Sequence, residues 1–212
     1  MFAGLLNGVL ERSDLTVWDS PTLTWLLAHR TPAATAVFAR ISWLADPPVL
    51  ITVVLVISIV LVGRTRRARP ALLLGGGMGL ALATSSTIKV LVARPRPPVA
   101  EMVAPAELNF AFPSGHTLGA AVFLLVGAYL WWTWRPTARV ALAGFAISAA
   151  GTLAVAASRL YLGYHWLTDA LASLSISFVI LGGVIALDTW RTARIRGEQI
   201  TGTLSKADTR QE

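Results

Sequence analysis

Residues 167–187 read LTDALASLSISFVILGGVIAL, an apolar run entered past a single carboxylate, Asp169. A helix that crosses the hydrocarbon core of a bilayer needs about 20 mostly apolar residues, and this run supplies them. Working outward, residues 71–92, 117–134 and 138–157 meet the same requirement, and residues 49–63 form a shorter but strongly apolar stretch. Each stretch mixes Gly, Ala, Ser or Thr with Leu, Ile and Val, and small side chains let helices approach closely where lipid supplies no hydrophobic drive between them. The whole chain of 212 residues is 55% hydrophobic and 14% charged, with a mean hydropathy of +0.63. That is too apolar for an ordinary soluble domain. The expected fold is all-α: a polytopic transmembrane helix bundle of five spans, possibly six, with its core at residues 49–190.

Residues 1–48 do not form a clean span, because Trp18, Trp25 and Trp43 alternate with Asp19, His29, Arg30, Pro32 and Arg40. They read as helices lying in the membrane interface. The alternative is a sixth span over residues 22–45, which would place Arg30 near the bilayer centre at roughly 2.5 to 3.5 kcal/mol. Residues 1–10 are too short to span and lack a basic stretch ahead of their apolar run, so no cleavable signal is expected. Residues 191–212 read as a cytoplasmic tail, solvated or disordered from Arg194 onward.

Positive charges set the orientation. Arg64, Arg66, Arg67 and Arg69, then Arg135 and Arg139, then Arg191, Arg194, Arg196, Lys206 and Arg210 fall in segments that alternate helices bring to one side. The positive-inside rule makes that side cytoplasmic. The net charge of +7 then finds its partner in anionic headgroups, and nucleic-acid binding is not expected. Trp131, Trp132, Trp134 and Trp190 fall at the same membrane boundary, and Trp166 at the opposite one, as amphipathic rings prefer.

The chain has no cysteine, which removes disulfides, thiolate nucleophiles and thiolate metal sites together. It also lacks an HExxH pattern and a P-loop. Chemistry must come from oxygen and nitrogen groups, and three polar clusters at the outward ends of the spans carry them. The first is Lys89-x6-Arg96-Pro97, where Pro95, Pro97 and Pro98 forbid further helix and hold Arg96 on a stiff extended segment. A lysine point charge and an arginine fork together suit a tetrahedral oxyanion. Arg94, in contrast, reads as an ordinary snorkelling residue.

The second cluster is Pro113-Ser114-Gly115-His116, at the start of a helix. Pro113 fits a first helical turn, and unobstructed amides at Ser114 and Gly115 can bind phosphate directly. The third is Ser158-Arg159-x5-His165-x3-Asp169. His165 and Asp169 are one helical turn apart, so the carboxylate can hold one ring nitrogen and leave the other unprotonated. Arg159 and Asp169 could equally form a structural ion pair at the membrane edge. Either way, ionisable residues there are costly and default to function.

In order and spacing, these three motifs resemble the type 2 phosphatidic acid phosphatase superfamily, across Lys89 to Asp169 and the spans around them. Two features depart from that pattern: the family usually has six spans, and Ala170-Leu171-Ala172-Ser173 lacks a glycine often found after the final aspartate. The resemblance implies that His165 attacks phosphorus while Asp169 orients it. It implies that Lys89, Arg96, Arg159, Ser114 and the Gly115 amide hold the phosphoryl oxygens. His116 would protonate the leaving group and then activate water. No metal and no cofactor is called for; the partners are a membrane lipid substrate and the bilayer. The expected activity is hydrolysis of a lipid phosphate or diphosphate at the outer face, with specificity set between Arg96 and Phe112, where Pro98, Glu101, Glu107 and Phe110 lie, and in residues 1–48. Undecaprenyl diphosphate, phosphatidic acid, phosphatidylglycerophosphate and other prenyl phosphates are the candidate substrates. Transfer of the phosphoryl group to another acceptor, or a catalytically silent lipid-binding protein on this fold, are the alternatives.

Overall fold

The computed structural model describes residues 2–11 and 14–208. Helices α1 (Phe2–Glu11), α2 (Asp19–Ala28) and α3 (Pro32–Leu44) precede five longer ones: α4 (Pro47–Thr65), α5 (Arg69–Val92), α6 (Gly115–Trp134), α7 (Ala138–Tyr161) and α8 (Leu167–Asp208). No strand occurs among the described residues. The five long helices each have the length and apolarity to cross a membrane.

Residues 22–45 do not make a sixth span. α2 ends at Ala28, and Thr31 caps a new helix by accepting the Ala34 N–H at 3.2 Å, with Pro32 in its first turn. Helices of 10 and 13 residues fall well short of a hydrocarbon core about 30 Å thick at 1.5 Å per residue. Arg30 sits at the break. Its Nε donates to the Tyr161 carbonyl at 2.8 Å and its Nη1 to the Glu101 carbonyl at 2.7 Å, so it ties the N-terminal helices to the end of the bundle.

α8 also departs from expectation. Instead of ending near residue 190 it continues to Asp208, because its Arg, Glu, Gln and Lys favour helix and no proline interrupts them.

The core forms around α6. Leu118, Val122, Val126 and Leu130 pack against Leu73, Leu74 and Ala81 of α5 and Ile176, Ile180 and Val184 of α8. The opposite faces of α4 and α7 leave Ile59, Leu142, Phe145 and Leu153 exposed, which suits contact with lipid. α6 and α7 touch almost backbone to backbone: a Cβ at Gly144 would lie 2.9 Å from the Ala128 Cβ, and one at Gly151 2.7 Å from the Leu124 Cδ1. This close seam fixes α7, and Arg159 with it, against α6.

Each end of the bundle carries a polar cluster. At one end Arg69 makes two bonds to Asp188, and Tyr129 donates to the same carboxylate at 2.7 Å, so α5, α6 and α8 are joined. At the other end, the α7–α8 turn passes through Gly163 at φ +80°, where a Cβ would come within 2.5 Å of the Glu101 carbonyl oxygen and 2.8 Å of Arg30.

Candidate active site

α5 stops where the sequence demands it. Ala93 takes a left-handed conformation at φ 47°, and the Arg94-Pro95-Arg96-Pro97 segment that follows is not helical. Lys89 lies in the last helical turn. The chain then runs over the bundle end to Ser114, whose hydroxyl caps α6. Arg159 is near the C-terminus of α7, and the short turn after it delivers His165 to the start of α8.

His165 is 1% exposed and lies between two unlike partners. Its Nδ1 is 3.2 Å from Asp169 Oδ2, and its Nε2 is 3.1 Å from Arg96 Nη1. A guanidinium can only donate, so Nε2 must offer its lone pair and the ring proton belongs on Nδ1, facing the carboxylate. Burial, reinforced by the charges of Arg96, Arg159 and Lys89, holds the imidazole pKa well below its ordinary value. The ring is therefore neutral and its free nitrogen faces the cations. Asp169 is fully buried; its Oδ2 also accepts the Trp166 N–H at 2.9 Å, and its Oδ1 accepts Arg94 Nη1 at 2.5 Å.

Arg96 lies against Nε2, and Lys89 and Arg159 add their charges to the His165 environment; the partners of all three are instructive. Lys89 Nζ donates to the Phe110 carbonyl. Arg96 reaches the carbonyls of Asn109 at 2.7 Å and Tyr164 at 2.5 Å. Arg159, only 1% exposed, donates to Ser42 Oγ at 2.7 Å and lies over the Tyr164 ring at 4.3 Å, while its Nε has no partner. Glu107 bridges the two arginines, bonding Arg159 through one oxygen and Arg96, at 2.8 Å, through the other. Burial works to raise the Glu107 pKa, but Arg159, by charge and hydrogen bond, with Arg96 and His116 holds it down to about 2. A carboxylate shared by two guanidiniums is a geometry that two phosphoryl oxygens could reproduce.

His116 stands on the first turn of α6, its Nε2 3.3 Å from Asp46 Oδ1. Both histidines, Lys89, Arg96, Glu107 and Gly115 line one cavity of about 730 Å³. From this polar head the cavity descends between α4 and α5 along Leu50, Val54, Gly75 and Gly79, an apolar channel beside the cations. Among the described residues no group of three or more His, Asp or Glu is placed to hold a metal ion.

Of the residues singled out by sequence, Lys89, Arg96, Gly115, His116 and His165 thus meet in one cavity, with Asp169 behind His165 and Arg159 joined through Glu107. Ser114 does not line this cavity. It is fully buried, and its hydroxyl pairs with Thr117 Oγ1 at 3.0 Å and caps the Thr117 N–H, so it serves the helix start. Pro113 likewise lies before the cap, outside the first turn. Arg94 does not snorkel: 12% exposed, it bonds Asp169, Asp19 and Thr168. The rigid Pro95 after it was a signal that its direction is set by the chain. Asp19 and Asp46 carried no such signal, because their partners lie far off in sequence.

The PAP2 superfamily model matches residues 70–193. Phosphatidylglycerophosphatase B of Escherichia coli (strain K12) is 40% identical over 91 residues, which is 43% of this chain and 32% of that protein. Phosphatidylglycerophosphatase B of Bacillus subtilis (strain 168) is 32% identical over 97 residues, 45% of this chain and 47% of that one. The chain therefore matches about a third to a half of the length of these relatives. A crystal structure of a transmembrane PAP2 type phosphatidylglycerolphosphate phosphatase from Bacillus subtilis superposes with a TM-score of 0.79 at 24% identity, covering 89% of this chain and 92% of that one. The structure of Aquifex aeolicus LpxE superposes with a TM-score of 0.63 at 17% identity, covering 80% and 95%. With its five apolar helices and three ordered motifs inside the matched region, the chain is a multi-pass membrane protein of the PAP2 superfamily.

Proposed function

We propose that this protein is a metal-independent lipid phosphate phosphatase that works through a phosphohistidine. The observation that carries the reading is the orientation of His165: a neutral ring, its Nδ1–H held by Asp169, its Nε2 lone pair beside Arg96 in a cationic cavity. Nε2 attacks phosphorus, an N–P bond forms, and the P–O bond to the lipid breaks. His116 gives its proton to the departing oxygen. It then takes a proton from water, which cleaves the N–P bond and releases phosphate. Lys89, Arg96, Arg159 and the Gly115 amide stabilise charge on the phosphoryl oxygens throughout. Asp169 offsets the positive charge that develops on His165.

The apolar channel between α4 and α5 supports sideways access of a lipid tail while the phosphate occupies the polar head. The distribution of arginines supports an outward-facing site at the cell membrane. The two phosphatidylglycerophosphatase B relatives make phosphatidylglycerophosphate the first substrate to assay, ahead of phosphatidic acid and undecaprenyl diphosphate. Purified protein in detergent or nanodiscs should release phosphate from one of these lipids in the presence of chelator, be inhibited by vanadate, and lose activity in His165→Ala. Full activity in that variant would sink the nucleophile assignment, and loss with chelator would sink metal independence. Appearance of a phosphorylated acceptor in place of free phosphate would identify a transferase.

A further inference from the structure

The row of groups behind His165 does not end at Asp169. Asp169 Oδ1 accepts Arg94 Nη1 at 2.5 Å, and the same guanidinium donates through Nη2 to Asp19 Oδ2 at 2.6 Å. Asp19 opens α2, in the N-terminal region, and is 3% exposed. Its carboxylate also accepts the Thr168 N–H at 2.9 Å and the Thr168 hydroxyl at 2.7 Å. Thr168 and Asp169 share the first turn of α8, so Asp19 caps, from another part of the chain, the turn that holds the carboxylate behind the nucleophile. Arg94 Nη1 completes the ring of bonds by donating to Thr168 Oγ1 at 2.8 Å.

We infer that Asp19 is a positioning residue for the reaction, acting on His165 through Arg94 and Asp169. The inference rests on the reading of His165 as the nucleophile. Two physical effects follow from the geometry. Asp19 fixes the guanidinium, which saturates Oδ1 and leaves Oδ2 aimed at His165 Nδ1. Asp19 also shares the arginine charge. Without it, Arg94 would act on Asp169 alone and weaken the carboxylate's hold on the imidazolium that forms with the N–P bond. A simple tether between α2 and α8 would need one bond to any exposed group. Among the described residues, the side chain of Asp19 instead bonds Arg94, which bonds Asp169 directly, and Thr168, the chain neighbour of Asp169.

The test uses the full chain with the best lipid substrate from the assay above. On the reading of His165 as the nucleophile, vanadate mimics the five-coordinate phosphorus by bonding the ring nitrogen and so reports on that nitrogen. Inorganic phosphate reports on the cationic cavity. In Asp19→Asn, kcat should fall about tenfold with KM changed by no more than about twofold, vanadate inhibition should weaken about tenfold, and phosphate inhibition should stay as in wild type. Asp19→Glu should recover part of kcat. Wild-type kcat and vanadate inhibition in Asp19→Asn would overturn the inference, and so would equal losses of phosphate and vanadate inhibition, which mark general damage. If Asp19→Asn does not fold, Thr168→Val removes the hydroxyl between Asp19 and Arg94. There a kcat loss of about threefold with phosphate inhibition intact upholds the inference, and unchanged kcat overturns it. Activity retained in His165→Ala would instead fail the nucleophile reading, whereas a dead His165→Ala beside a normal Asp19→Asn fails this inference alone.

Discussion

The two ends of the bundle use the same materials to opposite purpose. At one end Arg69, Asp188 and Tyr129 form a closed set, with the arginine bidentate on the carboxylate and the tyrosine donating to it. At the other, Arg96 and Arg159 share one carboxylate, Glu107, Lys89 lines the same cavity as Arg96 and Glu107, and Arg159 keeps a buried Nε without a partner. The first cluster is satisfied and joins three helices. The second holds more positive charge than its protein partners cancel, beside an open cavity. An ion pair does not by itself mark an active site; an excess of cations beside a cavity is the stronger sign.

This contrast can be broken by substitution. The largest effect is expected from Arg159→Ala, which removes a proposed phosphoryl ligand and should lower kcat/KM by roughly 10² to 10³. Equal activity in that variant would place Arg159 with the structural pairs. Glu107→Gln removes the charge that competes for the two arginines, so inorganic phosphate should inhibit about tenfold more tightly. Weaker inhibition would mean that Glu107 positions the arginines instead of competing for them.

The pH profile sharpens the same point. On the proposed mechanism His165 reacts in its neutral form, and burial, with the charges of Arg96, Arg159 and Lys89, lowers its pKa so that it stays neutral further into acid. The acid limb of kcat/KM due to the enzyme, after correction for ionisation of the substrate, should therefore lie below 6.5. A limb at or above that value would contradict the lowered His165 pKa.

A smaller effect is expected at Gly79, which lines the apolar channel and has no heavy atom within 4 Å of the point where a Cβ would stand. Gly79→Leu should raise KM several-fold, about 3 to 10 times, for a long-chain lipid and leave a soluble phosphate ester unaffected. At the satisfied end, Asp188→Asn should cost about 1 to 3 kcal/mol in denaturant unfolding and leave kcat at its wild-type value. A fall in kcat would show that the two ends are coupled.

What could be read in advance follows the same division. The spans were legible because lipid imposes a length and a composition, and five helices stand where the apolar runs stood. His165 and Asp169 were legible as a pair because one helical turn joins them. The N-terminal break was only half legible: His29, Arg30 and Pro32 signalled trouble for a span, but the anchoring of Arg30 on two distant carbonyls could not be inferred. Asp19 and Asp46 were hidden altogether, since partners so remote along the chain, 149 residues away for Asp19 and Thr168, leave no periodic trace. Ser114 was ambiguous in the sequence because a serine at a helix start can serve an anion or the helix itself; its hydroxyl caps α6.

The turn at Gly163 has a consequence for how this architecture can vary. The separation between the helix that bears Arg159 and the one that follows His165 is set where three stretches of chain are pressed together around a residue with no side chain. One added methyl there would have to push aside a carbonyl and a guanidinium, both of them anchors. A side chain at position 163 would therefore disturb both the Arg30 anchor and the turn between Arg159 and His165.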